Sequence, residues 1–162
     1  MSFSNLTEDL RHSIGEWEKK LLNLDEKVFS SIANQQGRTI KQIIGHLIDS
    51  ASNNHQRIVR LQYNQSLIFP DYTHHNDTWI NIQHYQEEDK QIIIQLWKYF
   101  NVHLAYIIDN VDEFELNNSW LDGENELLTL TDIINGYFSH FKLHLGEIQD
   151  IIIIYNNQQN QK

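Results

Sequence analysis

The chain has 162 residues, of which 40% are hydrophobic, and a formal net charge of −10. This length and apolar content suffice for one domain with its own core, so we expect a single domain over residues 1–162. The absence of cysteine excludes disulfides, thiolate catalysis and cysteine-ligated zinc. The 22 acidic residues outnumber the 12 basic ones, which argues against nucleic acid as a partner, because binding phosphates requires clustered lysine and arginine.

The chain also lacks the sequence features of membrane and secreted proteins. No window reaches the roughly 18 consecutive apolar residues that a membrane-spanning helix needs. The N-terminal stretch "MSFSNLTEDLRHS" does not have the basic and then apolar layout of a signal peptide. We therefore expect a cytoplasmic protein with no membrane partner.

Four long amphipathic segments follow one another along the chain. Apolar residues at three- and four-residue spacing predict helices over residues 6–24, 39–61, 79–111 and 129–152, with a polar tail over 156–162. The third segment pauses near "QEED". Thr39 with Gln42, and Thr129 with Asp132, fit capping boxes at the starts of the second and fourth helices.

These segments predict an all-α fold, a four-helix bundle. No hairpin signal is evident, and the stretch "NNSWLDGENE" is predicted to be a loop. The two connections around the third helix are longer than the usual spacing of about 2–8 residues between adjacent bundle helices. We therefore expect at least one of them to cross the end of the bundle, and functional loops are plausible there.

Two histidines, His140 and His144, lie four residues apart in the apolar last helix. The spacing places both on one face, where imidazole is costly to bury alone but binds Zn, Ni, Cu or Fe(II) well. The pair matches the histidines of the H-E-x-x-H motif, but Phe141 replaces the glutamate that acts as base in metalloproteases. Two interpretations stay open: a pair of metal ligands, or two hydrogen-bonded helix histidines.

A catalytic metal site typically has three protein ligands, so a third group must come from another helix. His46 is the best candidate, because it lies beside the apolar stripe of the second helix in a row of polar residues. The alternative is a hydrogen-bonded histidine at the edge of the core. His103 in the third helix is the reserve ligand, and His74 and His75 lie in a loop that could cover a site.

Two carboxylates each follow a candidate ligand by one helical turn, Asp49 after His46 and Glu147 after His144. Either could orient an imidazole by accepting a hydrogen bond, or act as a general base on metal-bound water. Asp49 is the candidate catalytic residue. Both could also be surface carboxylates, which is the favoured interpretation for Glu147.

Three stretches of the chain resemble the DinB-like superfamily, the DinB/YfiT-like metalloenzymes, in content and order. They begin "TIKQIIGHLIDSASNNHQR", "WINIQHYQEEDKQ" and "LNNSWLDGENELLTL". The resemblance covers residues 39–148, whereas the first helix matches only in character. Its most specific elements are "GHLIDSASNNHQR" and the later H-x3-H pair taken together.

The resemblance implies an up-down-down-up bundle with a three-histidine metal site, one ligand from the second helix and two from the last. The matching positions are His46, His140 and His144. The metals reported in the family include zinc and nickel, with one coordination position left open. Characterised relatives activate a low-molecular-weight thiol, such as bacillithiol or mycothiol, for transfer to an electrophile or for isomerisation. Homodimers are common among them.

The expected function is therefore metal-dependent transfer of a low-molecular-weight thiol to an electrophilic small molecule. Metal-assisted hydrolysis is the second candidate reaction. Two other classes stay open: a non-catalytic helical module that binds small molecules or serves a stress response, and a homodimeric scaffold. An open coordination position together with turnover of a thiol would distinguish the enzyme from a structural metal site.

Overall fold

The structure is a computed structural model that describes residues 3–70 and 75–160. The α-helices are α1 (Ser4–Asn23), α2 (Glu26–Ser31), α3 (Ile40–Leu61), α4 (Asn76–Ile82), α5 (Lys90–Asp109) and α6 (Leu130–Gln159). The strands are β1 (Ser66–Ile68), β2 (Ser119–Leu121) and β3 (Leu127–Thr129), and a 3-10 helix covers Glu113–Glu115. The long helices α1, α3, α5 and α6 confirm the predicted four-helix bundle.

The helix directions follow from the small sheet at one end of the bundle. The parallel strands β1 and β2 come after α3 and α5, so these two helices end on the same side and run in the same direction. Helix α6 runs the opposite way, because it starts directly after β3, which is antiparallel to β2. Thr7 near the start of α1 contacts Asp109 at the end of α5, so α1 also runs opposite to α5. The order is up-down-down-up, as expected.

The sheet corrects one prediction. Its strand order is β1-β2-β3; β2 lies inside the stretch predicted to be a loop, residues 117–126, and β3 follows directly after that stretch and pairs with β2 as a hairpin. Each strand has only three residues, which is too short for alternating polarity to be visible in the sequence. The Asp122 side chain stabilises the turn by accepting hydrogen bonds from the backbone N–H groups of Glu124 and Glu126.

The helix ends agree with the capping signals in the sequence. The capping boxes of Thr39 with Gln42 and of Thr129 with Asp132 are both formed. The predicted pause near "QEED" separates α4 from α5, and Asp89 caps the start of α5. Helix α2 was not predicted, and α6 stays helical as far as Gln159, beyond the predicted start of the polar tail.

From His46 onward, α3 buries polar as well as apolar side chains. Near its start Ile40, Ile43 and Ile44 are fully buried, as expected for the apolar face of a bundle helix. One turn later the same helix buries polar and charged side chains. These are His46, Asp49, Ser50, Asn53 and Arg57. Buried polar groups are costly unless they have partners, so this part of α3 is where a functional site is expected.

None of the helices in the described part of the chain combines the length and the apolar character that crossing a bilayer requires.

Candidate metal centre

The three predicted ligands meet between α3 and α6. The Nε2 atoms of His46 and His140 are 3.2 Å apart, and those of His140 and His144 are 3.0 Å apart. Each histidine offers a ring nitrogen within 4.8 Å of those of the other two, and within residues 3–70 and 75–160 no other group of three potential ligands has this geometry. His46 thus lies beside the H-x3-H pair, and the binding of a metal by the three residues stays a prediction.

Burial keeps two of the imidazoles, those of His46 and His140, in the neutral form that binds metals. His46 and His144 are buried and His140 is half-buried. Burial, with the neighbouring imidazoles adding to it, lowers the pKa of His46 to about 3 and that of His140 to about 4. Both rings are therefore neutral near pH 7, and a neutral ring nitrogen can donate its lone pair to a cation.

Hydrogen bonds on the far side of two rings orient them. The Nδ1 atom of His144 lies 2.9 Å from Glu147 Oε2, and Nδ1 of His140 lies 3.2 Å from Ser50 Oγ. Because a carboxylate only accepts hydrogen bonds, Nδ1 of His144 holds a ring proton, and in a neutral ring Nε2 then presents a lone pair. Histidines that bind metals usually donate their other ring N–H to a carboxylate in this way.

The spacing of the ligand atoms fits a divalent cation. Tetrahedral zinc binds imidazole nitrogen at about 2.0–2.1 Å, which places two such nitrogens about 3.3 Å apart. The observed Nε2 separations of 3.0 and 3.2 Å are close to that value. Without a cation, the 3.0 Å contact between the Nε2 atoms of His140 and His144 can be a hydrogen bond between neutral rings, whereas a bound cation would take both lone pairs. A set of three ring nitrogens at this spacing is suited to a divalent cation.

Glu147 is the residue that the sequence analysis misjudged. Its interpretation as a surface carboxylate is wrong, because the side chain is only 24% exposed and binds His144. The Nδ2 group of Asn34, from the segment before α3, also donates to it at 3.4 Å. The signal available in the sequence was its position one helical turn after His144, which places the two side chains side by side.

A cleft of about 250 Å³ opens beside the histidines. Its polar lining side chains are His46, His140, Ser50, Asn54, Arg57, Asn76 and Asp132, and its remaining lining residues are Trp120, Leu128, Ile133, Gly136 and Tyr137. The cleft has room for a small molecule next to two of the three candidate ligands. Arg57 and Trp120 were not singled out in the sequence, because their importance depends on the sheet approaching α3.

Comparisons with known proteins agree with this architecture. No family model and no curated protein matches the sequence. Among solved structures, YfiT from Bacillus subtilis superposes with a TM-score of 0.83 over 94% of this chain and 87% of that one, at 14% sequence identity. The chain has the DinB/YfiT-like fold. YfiT is described as "a probable metal-dependent hydrolase with an unusual four-helix bundle topology".

Within the DinB/YfiT-like bundle, Asp49 lies apart from the three histidines. Its Oδ1 atom accepts hydrogen bonds from the Tyr85 hydroxyl at 2.8 Å and from Gln83 Nε2 at 2.6 Å. Burial raises the pKa of this carboxyl. None of its hydrogen bonds within the described residues reaches an imidazole, so the structure connects Asp49 to the segment between α4 and α5, and its role as a base stays a prediction.

The other histidines considered in the sequence lie elsewhere. His103, the reserve ligand, is exposed on α5 with its ring centroid 5.7 Å from that of His55. His75 is exposed just before α4. His74 falls outside the described residues. The three-histidine group therefore has no fourth member among the residues that the structure describes.

Proposed function

We propose that the protein is a divalent-metal-dependent enzyme that uses His46, His140 and His144 as ligands and acts on a small molecule in the adjacent cleft. The observation that supports this is the convergence of three ring nitrogens beside a cleft that two of the histidines line, with the third imidazole hydrogen-bonded to the half-buried Glu147. The description of YfiT as a metal-dependent hydrolase adds to it.

Hydrogen bonds and burial within the chain fix the positions of the candidate ligands without a substrate. Glu147 and Ser50 hold two rings in position, and burial keeps His46 and His140 neutral near pH 7. Three protein ligands leave a fourth position for a substrate, whereas structural zinc sites are closed by four. A divalent cation held there lowers the pKa of a bound thiol or water and supplies a nucleophile near neutral pH.

The finer proposal is transfer of a low-molecular-weight thiol to an electrophile, with zinc or nickel as the metal. The chain has no cysteine, so the thiol has to be a cosubstrate. A thiolate needs no general base once its pKa is lowered. Among the described residues, the carboxylate that lines the cleft is Asp132, and it is already bound to the N–H and hydroxyl groups of Thr129.

Metal-dependent hydrolysis is the second candidate, favoured by the description of YfiT. Hydrolysis normally requires a group that removes a proton from water. Asp49 and Glu147 are the candidates by sequence, but neither lines the cleft. Turnover of monochlorobimane with added cysteine, compared with hydrolysis of p-nitrophenyl acetate, distinguishes the two reactions on the same metal-loaded protein.

The first test is the metal content of untagged protein purified without chelator, measured by plasma mass spectrometry. We expect close to one divalent ion per chain in the wild type and a large loss in His46→Ala, because two remaining ligands bind weakly. His103→Ala is the matched control, since this histidine is exposed and lies outside the group. Full metal content in His46→Ala, or none in the wild type after loading with zinc and nickel, would contradict the proposal.

A further inference from the structure

The small sheet has a row of exposed apolar residues on the side away from the core. Ile68 pairs with Leu121, and Leu121 pairs with Leu127, so the three residues lie side by side across the strands. Residues paired in register point to the same side of a sheet. The three residues are 88%, 40% and 64% exposed, respectively. They form one apolar surface, which we call the outer row.

The other positions of the sheet follow the usual pattern. A sheet with one buried face is normally apolar on that face and polar on the other. The inward residues Leu67 and Trp120 are buried, as expected. The second row on the outer side is polar and consists of Ser66, Ser119 and Thr129. Only the outer row departs from the pattern of this sheet, and contiguous exposed apolar residues of this kind mark an interaction surface.

The strands lie in acidic parts of the chain. Residues 99–141, which include β2 and β3, contain eight acidic residues and neither lysine nor arginine. Residues 61–89, which include β1, contain five acidic residues and again neither lysine nor arginine. A surface with one sign of charge attracts molecules of the opposite sign. The sheet end of the bundle therefore favours a positively charged partner.

Two of these acidic residues flank the outer row. Asp122 and Glu126 lie in the turn that joins β2 to β3, directly next to the row, and a backbone hydrogen bond connects them. Arg57 also reaches the sheet, but it stacks on the ring of Trp120, which lines the cleft. Since successive side chains of a strand alternate between its two sides, this arginine is on the opposite side of the sheet from the outer row.

The negative charge discriminates among the molecules that could cover an apolar row. A second copy of this chain would bring the same charge to the interface, and like charges oppose association. A bilayer has anionic headgroups and nucleic acid has phosphates, so both are repelled as well. A basic segment of another protein is attracted to the acidic turn and can bury the row.

The dimensions of the outer row fit one face of an α-helix. Neighbouring strands are about 4.8 Å apart, so three side chains in a row span about 10 Å. Apolar residues at positions i, i+4 and i+7 of a helix span about the same distance, because the rise is about 1.5 Å per residue. A helix that lies across the strands can therefore contact all three residues with one apolar face.

We propose that the outer row is a docking surface for a basic amphipathic helix of another protein. Its apolar face packs on Ile68, Leu121 and Leu127, and its lysine or arginine side chains lie near Asp122 and Glu126. This inference is independent of the metal centre and of the proposed function, since it uses only the opposite side of the sheet.

The test uses a designed helical peptide of about 14 residues, or four turns, with leucine on one face and lysine on the other. A second peptide has glutamate in place of lysine, and a third has the composition of the first in an order that is not amphipathic. Binding to the full chain is measured by isothermal titration calorimetry at about 0.15 M salt, which screens long-range attraction. We expect the first peptide to bind at least tenfold more tightly than either of the others.

The double variant Ile68→Gln/Leu127→Gln should bind the lysine peptide at least tenfold more weakly, because two apolar contacts are lost. Ile92→Gln/Leu143→Gln is the matched control, since it makes the same changes at exposed positions of α5 and α6. It should keep the wild-type affinity. If the first variant does not fold, Ile68→Thr/Leu127→Thr serves the same purpose, because threonine favours strands.

Three results would overturn the proposal. The first is a lysine peptide that does not bind, or that binds no more tightly than the other two peptides. The second is equal weakening in both double variants, because any exposed apolar residue would then contribute. The third is a wild-type dimer that Ile68→Gln/Leu127→Gln converts to a monomer in light scattering, which would assign the outer row to a second copy of the chain.

Discussion

Glu147 is the hydrogen-bond partner of His144, one of the three candidate metal ligands. Its carboxylate fixes both the ring position and the proton position of His144. The sequence allowed this role through the spacing, but it did not reveal the burial of the side chain. Asn34, from the segment before α3, donates a 3.4 Å hydrogen bond to the same carboxylate, and the two residues are 113 positions apart in the chain.

We predict that Glu147→Gln lowers the metal affinity by about 10- to 100-fold, because replacing the carboxylate that accepts a hydrogen bond from a metal-ligating histidine has an effect of that size. The affinity is measured by competition with a chromogenic chelator. Asp150→Asn is the control: it removes the same charge one turn further along α6 at an exposed position. Equal affinities for Glu147→Gln and wild type would show that His144 does not depend on this hydrogen bond.

Gly45 lies where the segment between α4 and α5 packs against α3. The Tyr85 ring, from the segment between α4 and α5, lies directly against this glycine in α3. A Cβ atom at position 45 would be 2.2 Å from Tyr85 Cδ2, which is far too close for two carbon atoms. The absence of a side chain therefore allows Tyr85 to reach Asp49 and to attach the α4–α5 segment to the bundle.

We predict that Gly45→Ala lowers the free energy of unfolding by about 1–3 kcal/mol, the usual cost of overpacking a core. Gly15→Ala in α1 should have the opposite sign, a gain of about 0.5–1 kcal/mol, because nothing lies within 4 Å of the added methyl group and alanine favours the helix. Urea denaturation measures both. A stabilised Gly45→Ala would mean that Tyr85 moves aside freely.

The elements of the fold differ in how visible they are in the sequence, for a physical reason. The two capping boxes and the start of α5 involve residues within three positions of each other, so they were visible in the sequence. Helix α2 and the three strands are too short for a periodic pattern. Their stability comes from pairing and packing with distant segments, such as β1 with β2.

The stability of the whole molecule should depend on pH through the buried histidines. Burial lowers the pKa of His46 to about 3, whereas an unfolded histidine titrates near 6.5. Between these values the unfolded state binds the proton and the folded state does not, so the free energy of unfolding decreases as the pH falls. The stability contributed by the neutral ring is therefore fully present only above about pH 6.5.

We predict that the metal-free wild type loses more stability between pH 6.5 and 5 than His46→Leu does. The difference should approach about 1.4 kcal/mol per pH unit, the limit for one histidine with a shifted pKa. Urea denaturation at the two pH values measures it. His103→Leu, at an exposed position, should keep the wild-type pH dependence. Identical slopes for the wild type and His46→Leu would contradict the burial of a neutral imidazole.

Sequence patterns were enough to predict the four long helices, their caps and the candidate ligands, because helical periodicity and capping depend on residues a few positions apart. Which of those side chains meet in the folded protein depends on the tertiary structure. His46 and His140 are 94 residues apart in the chain, and their meeting depends on α3 and α6 packing side by side. The same holds for Arg57 on Trp120 and for Tyr85 against Gly45, where distant segments are brought together by the burial of the core they share.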